Sequence, residues 1–255
     1  MHCRVVFPSV EHFLSLSDLL AYIKRLTREP DDKAAARFFL FGEDVLGVIQ
    51  RSNAATLNKP SLGPKDFARV SIIDHKQALS FISHLQNLLG PRDFVVFSVF
   101  EHMDLVIFNS VYLVGRSQWF FDFKRYLAAG DKLVLDASQQ GLHRLNSLLN
   151  PRGSHCVRAG SFCIRNINLA VCADVYLLPK ARFAKGTLVF LPASGLEDNS
   201  IFQALDGLKG SGHVLINDPA LGLAWDLPFG RGVYHEPVPL VQRGREPMSV
   251  VFELK

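Results

Sequence analysis

Short apolar stretches separated by glycine and proline recur at short intervals from Val111 onwards, and this pattern limits the folds open to the chain. The stretches predict strands over residues 111–114, 119–123, 132–135, 156–157, 162–164, 168–177, 187–190, 213–216 and 249–254. Many short strands with turn residues between them favour a β-sandwich or a β-barrel. No internal repeat is present, so a solenoid is not expected.

The first hundred residues differ, because helical and strand patterns alternate there. Apolar residues spaced along one helical face predict a helix over residues 17–28, with Ser17 as its N-cap. Asp74 as an N-cap and Gly90-Pro91 as a stop predict a second helix over residues 75–89. The apolar runs 38–41 and 45–49 flank Gly-Glu-Asp and predict a hairpin. We therefore divide the chain into a mixed α/β region of unknown role, residues 1–109, and a β-rich domain, residues 110–255.

Composition indicates a well-packed protein with a weak preference for anionic ligands. The chain has 255 residues, 48% of them apolar, and its formal net charge of +4 comes from 28 basic and 24 acidic residues. No run of like charges concentrates the excess, and Lys124 is among the dispersed basic residues expected on a solvated face, so nucleic acid is not the expected partner. No apolar run is long enough to span a membrane, and we expect a cytoplasmic protein.

Four cysteines, Cys3, Cys156, Cys163 and Cys172, include no CxxC pair. Three of the four lie in predicted strands. Buried free thiols are the favoured interpretation, ahead of a disulfide framework or a zinc site.

Several short motifs occur in an order that suggests one enzyme family. They are Arg116-Ser-Gln-Trp-Phe-Phe-Asp-Phe, Gly141-Leu-His, His155-Cys-Val-Arg and Asn217-Asp-Pro-Ala-Leu-Gly-Leu-Ala-Trp-Asp-Leu-Pro. Together they resemble the dTDP-4-dehydrorhamnose 3,5-epimerases of the cupin superfamily over about residues 110–228. The resemblance implies an α+β protein whose second region is a double-stranded β-helix barrel, and an epimerase or isomerase that needs no cofactor.

The resemblance also implies a site. His143 would be the base that removes a proton next to a ketone, and Asp218 would fix its tautomer and support the imidazolium. Substrate-binding roles would fall to Arg116, Phe121, His155, Arg158 and Trp225, with Arg116 on the phosphates of a nucleotide sugar. Gln140 stands where the family has an arginine, and the proton-donating tyrosine has no counterpart, so a diverged ligand-binding relative is also open.

A second pattern is similar to the iron(II)/2-oxoglutarate oxygenases. His102 and Asp104 form a His-x-Asp pair, and His235 precedes Arg245 by ten residues. In that interpretation His102, Asp104 and His235 would hold Fe(II), and Arg245 would bind 2-oxoglutarate.

A third hypothesis is a non-enzymatic interaction or scaffolding protein. The twenty phenylalanines suit a packed interior and a subunit interface, so a homodimer is also open.

Overall fold

The computed structural model describes residues 2–9, 13–28, 34–43, 45–46, 72–103, 106–125, 154–180, 183–194, 196, 205, 208, 212–229, 238–239 and 248–253. In the N-terminal half these form β1 (His2–Phe7), α1 (Leu16–Leu26), β2 (Ala36–Leu40), β3 (Ile73–Asp74), α2 (His75–Leu88), β4 (Asp93–Met103), β5 (Val106–Gly115) and β6 (Gln118–Phe123). The remainder form β7 (His155–Ala159), β8 (Phe162–Leu169), a 3₁₀ helix (Cys172–Lys180), β9 (Thr187–Pro192), β10 (Gly212–Asp218), β11 (Leu223–Pro228), β12 (Val238–Pro239) and β13 (Met248–Glu253).

The strands form two mixed sheets. The first has the order β13-β1-β2-β4-β5-β6, with β3 beside β4; β1, β2 and β4 are parallel, and β13, β5 and β6 join antiparallel. The second has the order β12-β11-β10-β9-β8-β7, with β8, β9 and β10 parallel. The described parts of both sheets therefore combine a parallel centre with antiparallel edges.

The two sheets face each other across a shared apolar core. Alternate residues of the first sheet point into it, including Phe38, Phe94 and Val96, and they meet Phe190 and Trp225 of the second. The Phe38 and Phe190 rings lie 4.9 Å apart between centroids. This is a sandwich of two open sheets, and the predicted double-stranded β-helix barrel is wrong. Regular short strands suit both architectures, and their spacing does not record which strands pair in parallel.

Helices α1 and α2 cover the outer face of the first sheet. Leu19 and Ile23 of α1 and Phe81 of α2 pack with the outward residues of β4, such as Val95 and Phe97. Successive residues of β4 point to opposite faces of the sheet, and the helices cover one face while the second sheet covers the other. Both sets of side chains are therefore buried, and the strand is a nearly continuous apolar run in the sequence.

Local sequence signals located both helices, but the hairpin predicted after α1 is absent from the described residues. Asp74 caps α2 with a complete capping box, as predicted, whereas α1 is capped by Ser15 and not by Ser17. The hairpin predicted after residue 38 is wrong, because β2 lies between β1 and β4 and is parallel to both.

The boundary predicted between residues 109 and 110 falls inside β5. Strands from both sides of it, including β13 near the C-terminus, join the first sheet. Neither α1 nor α2 has the length and apolarity needed to cross a membrane, and no other described segment forms such a helix.

A buried polar cluster fixes the start of α2 to the first sheet. His75 Nδ1 lies 2.7 Å from Glu101 Oε2, and Ser110 donates a hydrogen bond to the other oxygen of that fully buried carboxylate. The hydrogen bond to Glu101 raises the pKa of His75 above its ordinary 6.5; burial opposes this, and the negative charges of Glu101 and Asp74 add to it. The Tyr112 hydroxyl lies 3.5 Å from His75 Nδ1.

We expect stability to fall with rising pH because of this pair. A histidine whose pKa is raised by folding contributes stability that is complete below its unfolded pKa and is lost as pH rises through its folded pKa. The free energy of unfolding, measured in urea at pH values from below 6.5 upwards, should therefore decrease in wild type more steeply than in His75→Gln.

His84→Gln is the matched control. His84 lies on the same helix, and among the described residues its Nδ1 contacts a backbone oxygen, the Ser80 carbonyl at 2.8 Å, and not a carboxylate. It should retain the wild-type slope. Equal slopes in wild type and His75→Gln would contradict the assignment.

Candidate functional site

Three chemically reactive side chains follow the ends of three strands. Glu43 comes three residues after β2, Lys124 directly follows β6, and Cys172 begins the 3₁₀ helix after β8. All three are buried, with exposed fractions of 7%, 3% and 8%. A buried carboxylate, ammonium and thiol close together are uncommon, because burial disfavours charge unless the charges are paired.

Glu43 and Lys124 form the central contact. Lys124 Nζ donates to Glu43 Oε1 at 2.7 Å, and Asn109 Nδ2 donates to the same oxygen at 2.8 Å. Asn109 is itself oriented by Ser98, whose hydroxyl donates to its Oδ1 at 2.7 Å. The backbone N–H of Lys124 donates to the Asn109 carbonyl at 2.8 Å, so β5 positions both members of the pair.

The backbone around Glu43 contacts the second sheet closely. The Glu43 N–H donates to the Ala193 carbonyl at 3.0 Å. A Cβ at Gly42 would stand 2.4 Å from Pro219 Cδ and 2.6 Å from its Cγ. Only glycine fits this approach of the loop after β2 to the turn after β10.

Cys172 occupies a strained corner between β8 and the 3₁₀ helix. Its φ of +44° lies in the left-handed region, which is uncommon for a residue other than glycine and occurs often at functional sites. Asp174 holds the corner: its Oδ2 accepts from the Val171 N–H at 3.2 Å, and its Oδ1 accepts from the Arg125 N–H at 2.9 Å. The corner is therefore tied to the residue next to Lys124.

The environment of Cys172 keeps its thiol protonated. Burial raises its pKa well above the ordinary value, and the negative charge of Glu43 raises it further, whereas the positive charge of Lys124 lowers it. Glu43 is near enough to act on the pKa of the thiol, whose Sγ lies 4.0 Å from the Ser194 carbonyl oxygen. A proton acceptor is thus placed beside a thiol that needs one.

Asp218, the predicted partner of His143, is fully buried at the end of β10. Its carboxylate accepts from the Leu196 N–H at 2.8 Å and from the Leu221 N–H at 3.2 Å, which closes the turn to β11. His143 lies outside the described residues, so their pairing stays a prediction.

The predicted substrate-binding residues are spread over the structure. Arg116 is exposed in the turn between β5 and β6, and Arg158 is exposed on β7. Phe121 packs on the side of the first sheet that the helices cover. Phe120, the residue before it in β6, points to the opposite face, and the buried His155 stacks on its ring with centroids 4.7 Å apart. Trp225 lies in the core between the sheets.

Of the residues in the alternative metal site, the structure describes only His102. It lies at the end of β4, with Nε2 3.9 Å from Asp74 Oδ2. Asp104, His235 and Arg245 lie outside the described residues. Within the described ranges, no three residues of the types His, Cys, Asp and Glu are arranged to hold a metal ion.

Sequence reasoning missed all three residues of the buried cluster. Gly42-Glu43-Asp44 was interpreted as a hairpin turn, Lys124 as part of a solvated face, and Cys172 as a thiol inside a strand over 168–177. The strand prediction is wrong after Leu169, where β8 ends. The sequence did contain one signal. Each of the three residues comes shortly after an apolar run that predicts a strand, and the loops that follow strands often carry functional groups.

Comparison with known proteins gives matches in structure alone. No family model matches the chain, and no curated protein matches its sequence. A CN-hydrolase superfamily protein from Xanthomonas campestris, with an arsenic adduct in its active site, superposes with a TM-score of 0.57 at 12% identity, over 100% of this chain and 91% of that one. An amidase from Nesterenkonia sp. gives 0.57 at 16% identity, over 98% and 89%. Saccharomyces cerevisiae Nit3, a member of branch 10 of the nitrilase superfamily, gives 0.51 at 13%, over 99% and 90%.

At these identities the likeness shows the fold. The chain has the sandwich of CN-hydrolase superfamily structures, so the resemblance to cupin epimerases is wrong. Sugar-nucleotide epimerisation and iron(II)/2-oxoglutarate oxygenation were both predicted for a barrel, and the same finding shows that these two predictions are wrong. The motifs behind both were short, and strand-rich chains share such combinations of Gly, Pro and aromatic residues by chance.

Gly42→Ala should disturb the site through the Pro219 contact. The added methyl group overlaps a rigid ring, and overpacking of this kind costs roughly 1–3 kcal/mol of stability. We expect a lower urea midpoint, measured by tryptophan fluorescence.

The double variant Gly42→Ala/Pro219→Ala removes the ring that the methyl group meets. It should be more stable than the sum of the two single changes implies. Strict additivity would show that the contact with Pro219 is not the cause.

Proposed function

We propose that the protein is a thiol-dependent hydrolase that cleaves the carbon–nitrogen bond of an amide, with Cys172 as nucleophile, Glu43 as general base and Lys124 as the group that stabilises negative charge. The observation that carries this proposal is the buried cluster itself: a thiol on a strained corner beside a carboxylate that an ammonium group contacts at 2.7 Å.

In the first step the Cys172 sulphur attacks the amide carbonyl carbon. Glu43 accepts the thiol proton, because the raised pKa of Cys172 leaves little thiolate at neutral pH. The carbonyl oxygen gains negative charge in the tetrahedral intermediate. Lys124, already in place and desolvated, supplies the positive charge that stabilises it.

Collapse of the intermediate breaks the carbon–nitrogen bond. The leaving nitrogen takes the proton that Glu43 holds and departs as an amine or ammonia, leaving a thioester on Cys172. Water then attacks the thioester with Glu43 again as base, which releases the carboxylic acid and restores the thiol.

The structural neighbours support this chemistry. One is a mutant of the amidase from Nesterenkonia sp. AN1, which carries the acetamide moiety of fluoroacetamide covalently at its active-site cysteine; it superposes with a TM-score of 0.57 at 14% identity, over 98% of this chain and 89% of that one. That protein thus has a reactive cysteine in the same sandwich. In this chain, Cys172 is the buried cysteine that lies beside a carboxylate and an ammonium group.

Fluoroacetamide should label Cys172 covalently. Peptide mapping by mass spectrometry should find the acetamide group on Cys172 much sooner than on Cys3, which is also buried and serves as the internal control. Burial raises the pKa of Cys3 to about 11, and the positive charge of the N-terminus lowers it. Equal labelling of the two thiols would contradict activation of Cys172.

Turnover should depend on the residues around Glu43. With ammonia release from short aliphatic and aromatic amides as the assay, Cys172→Ala should abolish activity, and Glu43→Gln should reduce kcat by about 10²–10⁴-fold.

Asn109→Asp places a second carboxylate against Glu43, and adjacent carboxylates resist simultaneous ionisation. We expect the acidic limb of its kcat/KM profile to move to higher pH.

Asn168→Asp is the matched control for that change. It makes the same replacement on β8, where Asn168 Nδ2 donates to the Asn166 carbonyl at 3.3 Å. Its pH profile should match wild type. An unshifted profile in Asn109→Asp would contradict the role of Asn109 in positioning the base.

A further inference from the structure

Two of the four cysteines lie on an exposed face of the β7–β8 hairpin. Cys156 on β7 and Cys163 on β8 are exposed, in contrast to the buried Cys3 and Cys172, so the expectation of buried thiols is wrong for this pair. β7 is the edge strand of the second sheet. Reagents in solution can therefore reach both thiols.

The register of the hairpin brings the two thiols together. Val157 is paired with Ile164, so Cys156, which precedes Val157, and Cys163, which precedes Ile164, are near neighbours on the exposed face. The register shifts between His155 and Val157, so Cys156 lies within the irregularity, opposite the stretch in which Asn166 has a φ of +60°, as in a β-bulge that increases local twist. The two thiols are near enough to act on each other's pKa. A disulfide between them requires that side-chain rotation bring the two sulphur atoms into bonding distance.

The interaction between the two thiols shifts their pKa values in opposite directions, whereas the positive charges of Arg158 and Arg165 lower both. The interaction with Cys156 lowers the pKa of Cys163, with further lowering by the positive charges of Arg165 and Arg158. The same interaction, from the other side, raises the pKa of Cys156. Cys163 is thus the better nucleophile, and Cys156 is the thiol beside it.

We propose that Cys156 and Cys163 form a redox-active dithiol that an anionic low-molecular-weight disulfide, of the glutathione class, oxidises to a disulfide between β7 and β8. Arg158 and Arg165 flank the pair and attract the carboxylates of such a reagent. The proposal is independent of the function proposed for Cys172.

The exchange balances in two steps. The Cys163 thiolate attacks one sulphur of glutathione disulfide, which forms a mixed disulfide and releases one glutathione thiolate that takes a proton from water. The Cys156 thiol then loses its proton and attacks the Cys163 sulphur, which releases the second glutathione. The protein dithiol is oxidised by two electrons, and one glutathione disulfide is reduced to two thiols.

The test uses the reduced full-length chain and glutathione disulfide. Wild type should lose two free thiols without retaining glutathione, and peptide mapping should find Cys156 linked to Cys163. Cys156→Ser should keep glutathione on Cys163, because the second thiol is missing. Cys163→Ser should react at least about tenfold more slowly than Cys156→Ser, since the better nucleophile is gone.

Arg165→Gln and Cys3→Ser separate electrostatics from general effects. Arg165→Gln should slow the first step and weaken its dependence on salt, whereas Cys3→Ser should behave as wild type. Wild type that retains glutathione on either thiol without a Cys156–Cys163 link would overturn the proposal. Equal rates for Cys156→Ser and Cys163→Ser would overturn the assignment of Cys163 as the attacking thiol.

Discussion

The buried ion pair between Lys124 and Glu43 is the interaction on which the site depends. Removing two charges from water costs several kcal/mol per ion, and only close pairing with further hydrogen bonds offsets it. Lys124 and Asn109 both donate to Glu43 within 2.8 Å, and Ser98 completes the set. Loss of either charge leaves the other buried without its counterion, so the pair constrains the packing around it.

The pair also joins parts of the fold that are distant in sequence. Glu43 follows β2, Lys124 follows β6 and Cys172 follows β8, so the cluster draws on both sheets. Asn217 of β10 links the same region from within, because its Nδ2 donates to the Leu40 carbonyl at 2.6 Å and to the Pro8 carbonyl at 3.1 Å. Cys172 therefore lies beside Glu43 only where the two sheets are docked in register.

Local chemistry predicted the elements better than it predicted their arrangement. The N-cap at Asp74 and the stop at Gly90-Pro91 indicated α2, because each signal lies next to the helix end that it marks. The apolar run of β4 indicated a strand, but burial on both faces left no alternation to show which strands flank it. Parallel pairing of β2 with β1 and β4 joins segments far apart in sequence, and no local pattern records it. The site was missed for a related reason: Glu43, Lys124 and Cys172 are ordinary turn, surface and core residues until the fold brings them together.

The division of the cluster between two sheets has a consequence for partly folded states. A compact state that keeps its helices and strands but loosens its tertiary packing would retain Cys172 at the end of β8 and Glu43 after β2. It would lose the close fit that sets the Glu43 loop against Ala193 and Pro219. Such a molten state would have an intact secondary structure but would separate Cys172 from Glu43, so the contact between these two residues would report the docking of the two sheets directly.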